Sequence, residues 1–299
     1  MQNQLKQKPP EWTILKILEW TTSYFKSYHI DSPRATAEIL LAHVLKLKRI
    51  DLYLQFDKPL DKSELSFFKS LIKRRRNREP VAYITGHKEF WSIDLAVTKN
   101  SLIPRPETES LVETALSLMP EDLPDSARIL ELGTGSGAIS IALASERSGN
   151  TFFASDYSVD TLILARENAV RNVPGASIYF FSGDWLAPLK NNQLKFDIII
   201  SNPPYIKSAV IPGLEPEIWK YEPAKALDGG KNGLVALKQI LVSAHNYLKE
   251  GGSLLLETGH DQKDDLEGII EECNAYEHIV FIKDYSGFDR IVSMKKKKD

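Results

Sequence analysis

Only one cysteine, Cys273, occurs among the 299 residues. No disulfide can close within the chain, and a reducing cytoplasm is the expected setting. With six scattered histidines beside it, no zinc-type spacing arises. No metal site is expected, and His43 and His87 read as packing or surface residues. Neither sign of charge is in excess: 38 Lys and Arg stand against 40 Asp and Glu, a net charge of −2. A dedicated nucleic-acid binder usually carries a basic surplus, so direct contact with nucleic acid is not expected. The first ten residues lack the apolar stretch of a secretory signal. The longest apolar runs, such as Ile198–Ile200 and Leu254–Leu256, fall far short of the about 20 residues that cross a bilayer, so no membrane partner is expected. Internal repeats are also missing. What remains is 42% hydrophobic and 26% charged, the composition of a globular chain that buries a sizeable core.

Residues 11 to about 76 read as helices. Glu11–Tyr28 carries Ile14, Leu15, Leu18 and Phe25 at helical spacing. Asp31-Ser32-Pro33 reads as a helix start, and Ile39, Leu40, Val44 and Leu45 share one face of the helix it opens. Asp61-Lys62-Ser63-Glu64 has the spacing of a capping box before Leu65, Phe68, Leu71 and Ile72. The run Lys73-Arg74-Arg75-Arg76-Asn77-Arg78 closes that helix, where cations suit the dipole. A solvated face and a contact with RNA or an acidic partner are both open. Val81–Ile84 and Phe90–Val97 are rich in β-formers and predict a hairpin turning at 85–89. From about 107, strands at Arg128–Leu132, Thr151–Ser155, Ser177–Phe181, Phe196–Ser201 and Ser253–Glu257 alternate with helices. Two closing strands, His278–Ile282 and Arg290–Met294, are joined by a short turn that forces antiparallel pairing at one edge. The fold class is α/β: a doubly wound, mostly parallel seven-stranded sheet. The division is a helical bundle at 1–78, a hairpin linker at 79–100 and the α/β domain at 101–299.

The first strand runs into Gly133-Thr134-Gly135-Ser136-Gly137. Glycines let backbone turn tightly beside a ligand. Gly133-x-Gly135-x-x-Ala138 also satisfies a dinucleotide fingerprint. Glu131 just upstream would repel a pyrophosphate but suits a ligand with an α-amino group and a sulfonium, S-adenosylmethionine. Asp156 ends the next strand, 23 residues beyond Gly133, where an acid takes ribose hydroxyls or merely caps a helix. Asp184 and Trp185 follow the third strand. They suit an adenine amino group and ring, or an N-cap and a core indole.

Strand Phe196–Ser201 ends in Asn202-Pro203-Pro204-Tyr205. Two prolines stiffen the segment and remove two donors, leaving acceptors: the Asn202 side-chain oxygen and the Pro203 carbonyl. Acceptors out of the plane of an NH2 group favour a pyramidal nitrogen whose lone pair aims at a methyl donor, with Tyr205 as a flat wall. Asn202, Pro203 and Tyr205 are the expected catalytic residues, and Asn202 to Tyr205, Pro204 included, the substrate clamp. The motif specifies a planar nitrogen and not its owner, so an adenine or cytosine amino group of RNA or DNA stays open at this point.

Further stretches narrow the owner: Gly86–Phe90, Leu102–Glu109, Glu131–Gly137, Gly183–Trp185, Ser201–Ile206, Glu222-Pro223 to Gly229-Gly230, and Gly287–Arg290. In these the chain resembles, over nearly its whole length, the protein release factor glutamine methyltransferases. The resemblance implies a class I, Rossmann-like methyltransferase with S-adenosyl-L-methionine as cofactor. The implied partners are class-one peptide release factors, methylated at the side-chain amide of the glutamine in a Gly-Gly-Gln loop. It implies cofactor contacts at Gly133, Thr134, Gly135, Ser136, Gly137, Asp156, Trp185 and Asn202, and a pocket wall at Arg105, Pro106 and Glu107. The helical region is expected to grip the release factor, and the chain to act as a monomer. Glu131 stands where many members have Asp, and Glu257–Gln262 departs slightly from the family pattern; no chemistry is assigned to that segment.

Overall fold

The computed structural model describes residues 12–119, 127–189 and 194–298. The expected helix start at Glu11 and the N-terminal ten residues lie outside them. The chain divides into two compact units between Gly86 and His87.

The first unit holds α1 (Ile14–Ser27), α2 (Pro33–Leu45), α3 (Arg49–Leu54), α4 (Lys62–Arg76) and α5 (Val81–Thr85). α1 buries Ile14, Ile17, Leu18, Thr21 and Phe25, a stripe at intervals of three and four residues. Leu40 and Leu41 of α2 and Phe68 and Leu71 of α4 complete this core. The capping box forms: the Glu64 amide donates to Asp61 Oδ1 and the Asp61 amide to Glu64 Oε2, each at 2.8 Å. Ser32 does not cap α2 with its side chain; it sits left-handed at φ 45° and Pro33 opens the helix. The basic run is engaged inside the unit. Arg74 pairs with Glu79 at 2.5 Å, Arg75 is buried and donates to the Glu79 carbonyl, Arg76 lies over the Tyr28 ring, and Arg78 donates to the His29 carbonyl.

The predicted strand over 81–84 is a correction. Val81–Thr85 is a helical turn following Pro80 and stopped by Gly86 at φ 80°. Burial of Ile84 in the helical core outweighs the β preference of Val81 and Ile84, as tertiary packing routinely does. The hairpin exists further on, as β1 (His87–Phe90) and β2 (Ile93–Ala96). Its turn is Trp91-Ser92, both at positive φ, 53° and 57°, the twist that a two-residue hairpin needs. No Asn-Gly or Asp-Gly announced it. Trp91 is held from outside the turn: its amide donates to Glu109 Oε1 and its indole to Glu146 Oε1.

The second unit continues with α6 (Glu109–Ser117), β3 (Arg128–Leu132), α7 (Ala138–Glu146), β4 (Thr151–Asp156), α8 (Val159–Asn172), β5 (Ser177–Ser182), β6 (Phe196–Ser201), α9 (Pro216–Trp219), α10 (Val235–Ala244), β7 (Leu248–Glu257), α11 (Lys263–Cys273), β8 (Tyr276–Lys283) and β9 (Asp289–Lys296). The sheet runs β5-β4-β3-β6-β7-β9-β8. The first five strands are parallel; β9 is antiparallel to β7 and, as the short final turn required, to β8. Alternation of side chains along each strand builds two cores. Ile129, Ile198, Ile200 and Leu255 pack with Leu111, Ile139 and Leu143. Leu130, Leu132, Ile199, Leu254 and Leu256 pack with Leu237, Leu241, Leu266 and Ile270.

Asn168, fully buried on α8, ties the hairpin to this unit. Its Oδ1 accepts from the Ala96 amide at 2.8 Å, and its Nδ2 donates to the carbonyls of Ala96 and Ser136 at 2.9 Å each. Asn168→Leu strands three backbone groups and is expected to lower stability by about 2–4 kcal/mol. A reduced urea midpoint at unchanged slope is the readout; a midpoint equal to wild type would show the hairpin to be anchored elsewhere.

Candidate active site

β3 and β6 pair in parallel with Leu132 opposite Ser201, and Ser201 Oγ donates to the Leu132 carbonyl at 2.7 Å. The strand order reverses at this pair, since β4 and β5 lie beyond β3 while β7 lies beyond β6. Open α/β sheets bind ligands at the carboxyl ends of strands where the order reverses. The loop 133–137 and the segment 202–205 leave the sheet there side by side.

Gly133, Gly135 and Gly137 all adopt left-handed backbone, at φ 72°, 58° and 85°, a conformation costly to any residue with a Cβ. A carboxylate braces the loop from beneath. Glu131 is buried, and its Oε2 accepts from Thr134 Oγ1 at 2.7 Å, from the Ser140 amide at 3.0 Å and from Ser140 Oγ. The acid expected to face a ligand is thus bonded to the loop and to the start of α7. Burial pushes it up to about 7 despite these donors. Thr134 and Ser136 are buried, and the Thr134 hydroxyl is among the groups turned inward. Asp156 joins the loop from the next strand: Oδ2 accepts from the Gly135 amide at 3.0 Å and Oδ1 from the Ser158 amide at 2.9 Å. The cap of α8 is Ser158, so the helix-cap reading of Asp156 falls away. Burial raises the Asp156 carboxyl above its ordinary range. The Trp185 ring lies against Gly133, where an added Cβ would stand 3.5 Å from Cζ3. Asp184, its neighbour, is exposed.

The clamp residues share one cavity of about 110 Å³, lined by Asn202, Pro203, Pro204 and Tyr205 with Leu102, Arg105, Ile218 and Leu227 among its walls. Of the expected wall Arg105, Pro106 and Glu107, only Arg105 lines it. Pro106 and Glu107 are exposed, because the short 3-10 turn Pro106–Thr108 points Thr108 inward instead. Arg105 is held by the buried carboxylate of Glu222, which also accepts from the Ile103 amide at 3.1 Å.

Behind the clamp lies a polar chain that residue types and spacing did not announce. Asn202 Nδ2 donates to Thr108 Oγ1 at 3.0 Å, and Thr108 Oγ1 donates to Glu257 Oε2 at 2.7 Å. The other oxygen, Glu257 Oε1, accepts from the Tyr205 hydroxyl at 3.1 Å. Glu257 is buried and pushed up to about 7, chiefly by that burial. Tyr205 is pushed well above its ordinary value by burial and by the Glu257 charge. Gln262 Nε2 donates to the carbonyls of Tyr205 and Gly233 at 3.0 and 3.1 Å. Gly233 must be glycine for this approach, since a Cβ there would stand 2.3 Å from the Tyr205 carbonyl oxygen. Glu257 and Gln262 belong to the segment for which the sequence suggests no chemistry. The only signal for them was a Glu at the end of a buried strand, a place where an acid needs a reason.

Residues 16–86 match the family described as PrmC N-terminal domain, and residues 123–299 match that described as Methyltransferase domain. A release factor glutamine methyltransferase of Geobacter sulfurreducens is 39% identical over 291 residues, spanning 96% of this chain and 98% of that one. One from Rhodopirellula baltica is 37% identical over 287 residues, 95% and 97% of the two chains. One from Vibrio cholerae is 41% identical over 279 residues, 93% and 95%.

The Glu131 brace has a pH signature. Its folded value of about 7 lies above the ordinary 4.5, so between those values the folded chain keeps a proton that the unfolded chain has lost. Stability carried by this group therefore falls as pH rises across that window. Glu131→Gln removes the titration, so the melting temperature of the variant relative to wild type should climb from about pH 5 to about pH 8. A difference independent of pH would show that Glu131 keeps an ordinary acidity.

Proposed function

This chain belongs to the release factor glutamine methyltransferase family, and we propose that Asn202 and Pro203 hold the reacting amide of its substrate. The chain is an S-adenosyl-L-methionine-dependent methyltransferase. Bound S-adenosylmethionine supplies an electrophilic methyl carbon on a sulfonium. The residues present fit that molecule: three left-handed glycines keep side chains off the loop, a Cβ on Gly135 would meet nothing within 4 Å, Trp185 offers a ring beside Gly133, and Asp156 offers an acid at the end of β4. Gly133 to Gly137 with Thr134 and Ser136, Asp156, Trp185 and Asn202 would hold it.

The acceptor is the side-chain N5 amide nitrogen of the glutamine in the Gly-Gly-Gln loop of class-one release factors, and its methylation modulates translation termination. Asn202 Oδ1 and the Pro203 carbonyl each accept one N–H of that amide. An amide nitrogen is a poor nucleophile because its lone pair is delocalised. Acceptors out of the amide plane oppose that delocalisation, which is complementarity to the transition state. Positioning of this kind supplies up to about 7–11 kcal/mol. Pro203 and Pro204 keep the acceptors stiff, and Tyr205 walls the flat group. Burial and the Glu257 charge hold the Tyr205 proton in place, so Tyr205 is a wall and not a base. The nitrogen loses its proton after transfer, when it has become acidic. The observation that carries this reading is the cavity whose lining includes all four clamp residues.

The first unit grips the release factor away from its loop, and the protein works as a cytoplasmic monomer without touching nucleic acid. No helix among the described residues is long and apolar enough to cross a membrane. The basic run that would have favoured an RNA substrate has Arg74, Arg75, Arg76 and Arg78 in contacts within the helical unit.

Incubation with labelled S-adenosylmethionine and a purified release factor, followed by peptide mapping, should place the label on the loop glutamine. Label elsewhere, or only on nucleic acid, overturns the substrate. Asn202→Ala should abolish turnover with S-adenosylhomocysteine affinity within about tenfold of wild type, a change of about 1.4 kcal/mol or less. Near-normal turnover would remove Asn202 from the mechanism.

A further inference from the structure

From the chain Asn202–Thr108–Glu257–Tyr205 we infer that Thr108 and Glu257 are positioning residues that set which end of the Asn202 amide faces the substrate. The inference rests on the reading that Asn202 Oδ1 accepts from the reacting NH2. An asparagine amide has two nearly isosteric ends of opposite hydrogen-bonding sense. With the oxygen toward the substrate the clamp holds an NH2 group; with the NH2 toward it, two donors meet and the clamp repels. Packing alone distinguishes these ends poorly, since they have the same shape. Hydrogen-bond sense distinguishes them strongly.

The sense is dictated from the buried end. An ionised carboxylate only accepts. Glu257 therefore requires that Thr108 Oγ1 point its single proton at Oε2, at 2.7 Å. A hydroxyl so committed can only accept from its other neighbour. That neighbour is Asn202, so Nδ2 must face Thr108, at 3.0 Å, and Oδ1 is left for the cavity. The second oxygen takes the Tyr205 proton at 3.1 Å, so one carboxylate orients both the acceptor and the wall. Both supports are remote in sequence from Asn202, since Thr108 lies on the turn before α6 and Glu257 at the end of β7. Neither Thr108 nor Glu257 lines the cavity; both act through residues that do.

The full-length protein tests this at about pH 8.5, with Glu257 ionised, using a purified release factor and S-adenosylmethionine. Thr108→Val keeps the shape and removes the hydroxyl. It should cut kcat by at least about tenfold while KM for the release factor and the calorimetric Kd for S-adenosylhomocysteine stay within about threefold. Thr108→Ser restores the hydroxyl and should recover kcat to within about threefold of wild type. Glu257→Gln sets an NH2 against one of the two hydroxyls and forces it to reverse, so it too should lower kcat. Combined with Thr108→Val it should be no slower than the slower single variant, as expected of residues acting as one unit. Loss of less than about tenfold in Thr108→Val, or a Thr108→Ser as slow as the valine, overturns the inference. Multiplying losses in the double variant overturn it as well. Should Glu257→Gln fail to fold, the valine and serine pair still decides. Asn202→Ala separates the two levels: if it stays active the clamp reading fails, whereas if it is inactive and Thr108→Val is not, only the positioning role fails.

Discussion

The parallel pairing of β3 with β6, with Leu132 opposite Ser201, is the constraint on which the site depends. It sets two loops from distant parts of the chain beside each other where the order of the parallel strands turns back. The pairing sits in the middle of the sheet, with a core on each face, so the first residues of both loops inherit the rigidity of the most buried strands. Loops grafted on such a scaffold position reacting groups better than loops at an edge. The Ser201 hydroxyl bonded to the Leu132 carbonyl adds a link across the two strand ends themselves.

Each loop is then held from below by a buried carboxylate. Glu131 gathers Thr134 and Ser140 under the glycine loop; Glu257 gathers Thr108 and Tyr205 under the clamp. Burying a carboxylate is costly unless its oxygens are bonded, and both acids are raised to about 7 by that burial. The donors are hydroxyls and an amide rather than arginines in direct contact. A neutral donor can be placed without importing a cation, and a cation under the glycine loop would oppose a sulfonium ligand. The two acids thus act in the same way: each collects donors from separate parts of the chain beneath one loop.

Much of this was legible from residue types. The glycine loop and the Asn-Pro-Pro-Tyr segment announce themselves because they set unusual residues at short spacings, and Asp156 and Trp185 because they follow strand ends. The parallel sheet and its antiparallel edge follow from apolar runs and connection lengths. Three features were hidden for physical reasons. Val81–Thr85 has β-branched residues but folds as a helical turn, since packing of Ile84 overrides local preference. The helix Lys263–Cys273 has only Leu266 and Ile270 fully buried amid many acids, too short a pattern to register. The contacts of Asn202 with Thr108 and of Thr108 with Glu257 join residues 94 and 149 positions apart. A support of that kind leaves no local spacing, and Thr108 and Glu257 are ordinary residue types. Glu107, one position away and expected in the wall through the resemblance, is exposed, whereas Thr108 is buried.

The arrangement also bears on why such a site prefers an amide to an amine. A lysine side chain enters water-facing sites as an ammonium, with three donors and no lone pair, and is unreactive until it loses a proton. A cavity with an unengaged carboxylate would bind that cation and hold it in its unreactive form. Here the acids around the clamp are engaged: Glu222 by Arg105 and the Ile103 amide, Glu257 by Thr108 and Tyr205. The cavity lining includes Arg105, Asn202 and Pro203, and in the proposed clamp the last two offer neutral oxygens. With Glu222 and Arg105 neutralising each other, such a lining offers a cation no unpaired carboxylate, while neutral acceptors suit an NH2 group. On the proposed clamp, the pairings that orient Asn202 also occupy the carboxylate that would attract the wrong nitrogen, so orientation and selectivity would come from one set of bonds.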